Sequence, residues 1–262
     1  MYSDKRNQES TPEHWNNVFI PQKSITQSSL YNIVFNINRL LFDVQWREIR
    51  RSVKKGSVVL DAGCGMGQWV MFLRRQGMDA MGLDYSEAMV KLLALRFPKA
   101  KWIEGSIQAI PLPDKSVDSI ISWGVIEHDQ AGPGKALNEF YRILKPGGTI
   151  FVTVPYDTPA MRRAAVIHNT ATENNSSSEG TKFYQYFMTE NELESNLKDS
   201  NFEIQKVIPS IRHYSVLFPK LYLRLQCFGA LGEAIMAQIL RPYLMYKRDS
   251  YTMILGIGKK RS

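Results

Sequence analysis

Residues 58–67, VVLDAGCGMG, constrain the fold more than any other stretch of this chain. An apolar run passes into glycines at 63, 65 and 67, and then directly into the amphipathic segment QWVMFLRRQG. Glycine permits a tight strand-to-helix turn and lets a ligand approach the backbone closely. The helix that follows turns its amide end toward the same place and favours an anionic group there. A strand this apolar needs cover on both faces, which is the situation of a parallel sheet sandwiched between helices.

The downstream rhythm agrees. DAMGLD reads as a second strand, and Ser86 caps the helix EAMVKLLALRF, which Pro98 ends. KWIEG and VDSIISWG read as strands three and four, KALNEFYRIL as a helix, and GTIFVTVP as a fifth strand after the KPGG turn. Strand and helix alternating at this spacing predict an α/β, doubly wound sheet. Beyond Pro155 the rhythm breaks. Residues 157–182 read as a long mobile loop, Thr189 with Glu192 as a capping box for a helix to about Lys198, and FEIQKVI and YTMILGIG as two final strands. About forty residues between those strands are too many for a turn and predict a helical insertion at about 209–250. At the other end, residues 1–28 read as an irregular arm with Trp15 and Phe19 as anchors. Leu30, Ile33, Val34, Ile37, Leu41 and Val44 then form one helical face through about Arg51. The division is an arm and helix over 1–52 and a main domain over 53–262.

The residues that carry chemistry gather at the strand ends. Asp84 closes the second strand, whose carboxyl end neighbours that of the first in a doubly wound sheet, and a carboxylate there can accept two hydrogen bonds from a ribose diol. Glycine turn and acid together make a nucleoside site with an anion pocket. A dinucleotide fingerprint needs a small residue where Gln68 stands, which weakens an NAD(P) oxidoreductase reading without removing it. Cys64 reads as a small residue filling the turn rather than as a nucleophile. Glu127 and His128, four and five residues past Trp123, are the candidate bases, because an acceptor hydroxyl or acidic carbon must lose a proton. His14, His168 and His213 show no metal-ligand spacing and read as surface or loop residues; no metal site is expected.

The motifs VLDAGCGMG, LDYS, GSIQAIPLPDKSVDSIISWGVIEH and EFYRILKPGGTIFVTVP, in this order, resemble those of the class I S-adenosylmethionine-dependent methyltransferases, particularly the type 11 small-molecule enzymes. The resemblance is strong over 57–156 and looser over 183–208. It implies a Rossmann-like, seven-stranded, mostly parallel sheet with the last strand antiparallel. It also implies S-adenosylmethionine as cofactor, with Asp61, Gly63, Cys64, Gly65 and Gly67 around its methionine part and Asp84 on its ribose. Tyr85 would stand beside the adenine and Gly105, Ser106 and Ile107 at its edge, with Trp123 and Gly124 beneath the sulfonium. Many relatives place an aspartate where Ser106 stands, so a main-chain amide at Ile107 or Gln108 is expected to share adenine recognition.

Charge and composition bear on the partner. The net charge is +8, but residues 211–262 sum to +7 and residues 157–210 to −3, so the basic excess is C-terminal. Duplex-binding proteins more often carry charge along a whole face, and no nucleic-acid partner is expected. Residues 214–248 combine basic with large apolar residues, a composition suited to a lid, to a pocket for a small-molecule or lipid-like acceptor, or to contact with an anionic membrane. The start MYSDKRNQESTPEHW lacks the apolar core of a signal peptide, which predicts a cytoplasmic protein. A non-catalytic regulator retaining the cofactor pocket is the third functional class; turnover on any acceptor separates it from an enzyme.

Overall fold

The computed structural model describes residues 1–6, 11, 13–14, 43–173, 182–212 and 251–262. Strand β1 (Tyr2–Arg6) and helix α1 (Val44–Ser52) precede β2 (Val58–Ala62), α2 (Gln68–Arg75), β3 (Asp79–Asp84), α3 (Glu87–Arg96), β4 (Lys101–Glu104) and β5 (Val117–Trp123). A single 3-10 turn (Ile126–His128) leads to α4 (Gly134–Ile143), β6 (Leu144–Pro155), α5 (Pro159–Glu173), β7 (Lys182–Phe187), α6 (Glu190–Asp199), β8 (Glu203–Arg212) and β9 (Tyr251–Lys259).

Seven strands form one sheet in the order β4-β3-β2-β5-β6-β9-β8. Strands β4, β3, β2, β5 and β6 pair in parallel, while β9 runs antiparallel to both β6 and β8. The expected Rossmann-like sheet with an antiparallel last strand is therefore what forms. The chain winds outward from β2 through β3 to β4, then returns to place β5 on the other side of β2. Such a reversal leaves a crevice at the carboxyl ends of the two strands that flank it, here β2 and β5.

Alternation along the central strands divides the core. Leu60, Ile120, Ile150 and Val152 face α4 and α6, meeting Leu137, Phe140, Leu193 and Leu197. Val59, Ile121, Phe151 and Leu255 face α1, α2 and α3, meeting Ile49, Phe72, Leu73 and Met89. Phe72 and Phe140 are almost completely buried, and each large apolar side chain so placed stabilises the fold by roughly 1.5–3 kcal/mol. Local signals agree with packing. Ser86 Oγ accepts from the Met89 amide to cap α3, and Thr189 and Glu192 form the reciprocal capping box of α6.

Three local expectations are corrected. Tyr2–Arg6 is a strand rather than irregular arm, because it pairs antiparallel with β7 in a separate two-stranded sheet. Residues 159–173 are helical rather than loop: Thr158 Oγ1 accepts from the Met161 amide, Pro159 occupies the first turn where no amide partner is needed, and Arg162 pairs with Asp157. The KPGG segment lies within β6 instead of before it, absorbed by a register shift between Val117 and Ser119 on β5. Trp15, Phe19, the helical face from Leu30 to Leu41, the NNSSSEG stretch and the 214–248 insertion lie outside the described residues. Among the described residues, no helix is long and apolar enough to cross a membrane.

Candidate active site

The crevice begins at the glycine turn. Gly63, Gly65 and Gly67 have φ of +86°, +48° and +69°, values that a side chain would strain. Two of them also have no room for one. A Cβ on Gly63 would lie 2.5 Å from Val125, and one on Gly67 would lie 2.5 Å from the Trp102 ring. Trp102 is held from the far side by its indole N–H donating to the Phe97 carbonyl at 3.1 Å. Cys64 is buried, and its Sγ lies 2.7 Å from where a Cβ on Gly82 would stand. Burial, seconded by the charges of Asp61 and Asp84, pushes the thiol well above its usual range. Cys64 thus packs the turn and is a poor nucleophile, as its sequence context suggested.

Asp84 is buried at the end of β3 and accepts the Gly65 amide at 2.8 Å on Oδ2 and the Ser86 amide at 3.0 Å on Oδ1. Burial raises its carboxyl, while the amides of Ser86, Gly65 and Tyr85 oppose that rise. Each carboxylate oxygen has two acceptor positions, so these amides do not exhaust its capacity. Asp61 is buried on the neighbouring β2, opposite Gly82. Tyr85 is 38% exposed beside Asp84, an open aromatic surface at the strand ends. Ser106 and Ile107 follow β4, with Ser106 exposed and Ile107 half-buried. Ser106 Oγ accepts the Gln108 amide at 3.1 Å. That amide is therefore already used, and of the two expected to share adenine recognition, Ile107 is the better placed. Arg142 fixes the segment beyond: it donates to the Ile110 and Leu112 carbonyls and pairs with Asp114 and Glu139.

Across the crevice, β5 and β6 end in a different chemistry. Trp123 is directly paired with Thr153 of β6. Its ring packs on Trp69 of α2 at 5.2 Å. Gly124 has φ +68° and donates its amide to the Thr153 carbonyl at 3.0 Å. Glu127 is 1% exposed, and its Oε1 comes within 3.4 Å of where a Gly124 Cβ would be. Trp123 Nε1, Glu127 Oε2 and Thr153 Oγ1 are buried without a hydrogen-bond partner among the described residues. Buried polar atoms are nearly always satisfied, and each one left unpaired costs about 1–3 kcal/mol. Burial pushes the Glu127 carboxyl up to about 8, opposed only by its own backbone amide.

His128 bonds to β7. Its Nδ1 lies 2.8 Å from the Tyr184 carbonyl, and its ring meets the Tyr184 ring edge-on at 5.1 Å. A carbonyl only accepts, so Nδ1 carries the proton and Nε2 the lone pair. Burial holds His128 down at about 4, with Arg6 and His14 adding to the drop. Glu127 and His128 are thus adjacent in sequence but differ in their surroundings. The strap formed by β1 and β7 backs His128. Arg6 stacks over the Tyr184 ring at 3.9 Å, Arg6 pairs with the buried Asp4, and Tyr184 meets His14 at 5.7 Å. His14 is half-buried, with one edge of its ring against Tyr184. His213, and the side chain of His168, lie outside what is described.

The sequence pattern of the methyltransferase domain family matches residues 60–152, the span from β2 to β6 that supplies this crevice. These residues form a class I S-adenosylmethionine-dependent methyltransferase domain. A chain of Mycolicibacterium smegmatis named as a probable S-adenosylmethionine-dependent methyltransferase is 39% identical over 102 residues, 38% of this chain and 38% of its own length. Aligned segments span between 35% and 62% of the first curated relatives. In three dimensions the chain is similar to a chain from the complex of the Haloferax volcanii Trm112 methyltransferase activator with a methyltransferase. The TM-score is 0.59 at 19% identity, over 97% of this chain and 98% of that one. It is also similar to the [4+2]-cyclase SpnF, with a TM-score of 0.54 at 17% identity over 83% of this chain and 80% of that one. Likeness at these identities shows the shared fold alone.

The cofactor of a class I methyltransferase domain is S-adenosylmethionine, and the residues fit it. The turn is bare of side chains at Gly63 and Gly67, Asp84 keeps acceptor capacity, and Tyr85 offers an exposed ring. Two contributors were missed from sequence. Trp102 seats the turn from below, and its signal was only an aromatic residue in a short strand. Thr153 is buried opposite Trp123 with its hydroxyl unpartnered among the described residues, and its only signal was a polar residue in an otherwise apolar run.

Proposed function

We propose that the protein transfers a methyl group from S-adenosylmethionine to an oxygen- or nitrogen-bearing acceptor, small or lipid-like, whose nucleophilic end sits against Trp123, Glu127 and Thr153. The observation that carries this reading is the set of three buried, unpartnered polar atoms beside the glycine turn. An indole N–H only donates, so Trp123 calls for an acceptor atom on the ligand, while a threonine hydroxyl can donate or accept. A ligand supplying that atom relieves the desolvation of all three groups at once.

The chain's own residues divide the work. Asp84 and the glycine turn would hold the cofactor's ribose and methionine ends, and Tyr85, Ser106 and Ile107 would flank its adenine. Bound there, the cofactor supplies a methyl group on a positively charged sulfur, which keeps the electrons of the carbon–sulfur bond on transfer. Trp123 and Thr153 orient the acceptor, and fixing two reactants in line is worth roughly 7–11 kcal/mol of the barrier. Glu127 Oε2 is the candidate seat for the proton that the acceptor loses. His128, held near 4 and bonded to the Tyr184 carbonyl, supports the β1–β7 strap.

The test is acceptor discovery. Purified protein is incubated with methyl-tritiated S-adenosylmethionine and with soluble and lipid extracts, and labelled products are identified. Label entering an alcohol, phenol, acid or amine supports the reading. Binding of NAD(P) in place of S-adenosylmethionine, or no turnover on any fraction, rejects it.

A further inference from the structure

Glu127 stands out among the buried carboxyls. It is 1% exposed, its Oε2 has no partner, and it sits in the turn after β5 that packs directly on the glycine turn, with Gly124 beside it and Val125 in van der Waals contact with Gly63. The other ionisable groups around it do not compensate it. His128 on its own turn bonds the Tyr184 carbonyl, and Tyr184 on β7 is a phenol that burial raises further. Arg6 and His14 pack on the Tyr184 ring with Asp4 paired to Arg6, and Asp61 lies on β2. On the β6 side stands the uncharged Thr153, and Met253 of β9 closes the Gly124 side. Burial without a cation leaves such a carboxyl neutral, mostly protonated at pH 7.

We propose that Glu127 is the counter-charge for the cofactor's sulfonium: it gives up its proton as S-adenosylmethionine enters and keeps it when S-adenosylhomocysteine enters. The inference rests on the functional reading above and deepens it. The two ligands differ by one methyl group and one positive charge at sulfur, and share every other charged group. A cation close to a buried carboxyl lowers its proton affinity by about 1–3 pH units, enough to ionise a group that starts at about 8. The crevice then holds one positive and one negative charge before transfer. An acceptor that loses a proton as it gains the methyl group gives that proton to Glu127 Oε2, so the crevice is neutral again when the sulfur is. Cofactor charge thereby arms the base, and loss of that charge disarms it.

The experiment is calorimetry of each ligand in two buffers of different ionisation enthalpy at pH 7, which counts protons released on binding. S-adenosylmethionine should release roughly 0.4–0.9 proton per site, the range that a 1–3 unit drop from about 8 produces, and S-adenosylhomocysteine close to none. Glu127→Gln should erase the difference. As a second measurement on the unmodified protein, the infrared C=O stretch of a buried protonated carboxyl should vanish with S-adenosylmethionine and persist with S-adenosylhomocysteine. Equal proton counts for the two ligands, a carboxyl stretch unmoved by either, or a difference that survives Glu127→Gln overturns the proposal alone. Failure of both ligands to bind overturns the functional reading and this proposal with it.

Discussion

Asp84 and Glu127 are both buried carboxyls at strand ends on the rim of one crevice, yet they sit in opposite environments. Asp84 accepts backbone amides on both oxygens; Glu127 has an oxygen with no partner among the described residues. The difference extends to the halves of the sheet that hold them. On the β2–β3–β4 side Asp84 is anchored by backbone amides, and the turn is packed by Trp102 under Gly67 and by Cys64 against Gly82. On the β5–β6 side three buried polar atoms have no hydrogen-bond partner among the described residues. A fixed anion braced by amides suits a ligand that is the same in every turnover. An unbraced acid suits a step in which charge appears and disappears.

The comparison breaks most decisively at the turn itself. Gly67→Ala puts a Cβ 2.5 Å from the Trp102 ring at φ +69°. Backbone strain alone is worth about 1–3 kcal/mol, so melting temperature should fall and binding of S-adenosylhomocysteine should drop at least tenfold by calorimetry. Unchanged affinity and melting would show that the turn is not the rigid half. Next in size is Asp84→Ala, which removes a charged hydrogen-bond acceptor worth roughly 1.5–3 kcal/mol to a ligand. Affinity for S-adenosylmethionine and S-adenosylhomocysteine should fall together, by about 10- to 100-fold, in a protein whose circular dichroism is native. A loss confined to one of the two ligands would mean that Asp84, and not Glu127, senses charge.

Glu127→Gln sharpens the contrast through pH. A carboxyl raised from 4.5 to about 8 on folding contributes stability that is complete below pH 4.5 and is lost as pH rises through 8, because the folded form holds the proton more tightly. Unfolding in urea should therefore show the ligand-free protein weakening across that window relative to the variant. The variant should be more stable above pH 8, by about 1–3 kcal/mol. A parallel pair of curves would place Glu127 in contact with water or a cation. The smallest effect belongs to Thr153→Val. Replacing an unpaired buried hydroxyl by a methyl of similar shape should leave stability unchanged or raise it by up to about 1 kcal/mol, while methyl transfer to the natural acceptor falls. Destabilisation would show that Thr153 is a satisfied core residue, and the two halves would then be alike.

How much of this was legible follows from the distance over which each feature is encoded. The glycine turn, the Ser86 cap and the Thr189–Glu192 capping box are written within a few neighbouring residues, and Asp84 follows once strand and helix alternate. The β1 strand was not legible, because YSDKR is polar and its partner KFYQYF lies far along the chain. Helix α5 was missed because the loop chemistry of NNSSSEG was extended backward over Ala-rich residues that favour a helix. In the candidate site, Glu127 and His128 stood out as a pair. Their separation into an unpartnered acid and a bonded, neutral imidazole depends on Tyr184, which no local spacing reveals. Thr153 was invisible because alternation in a strand covered on both faces carries no polar code.

The β1–β7 strap has a consequence in time rather than in space. Among the described residues it is a sheet of two strands, set apart from the seven-stranded one, and a two-stranded sheet is marginal without further packing. Segments of that kind open far more often than the core they rest on. Amide hydrogens of Tyr2–Arg6 should accordingly exchange ahead of those in β2 and β5, so the support behind His128 should be renewed many times during the life of one folded core.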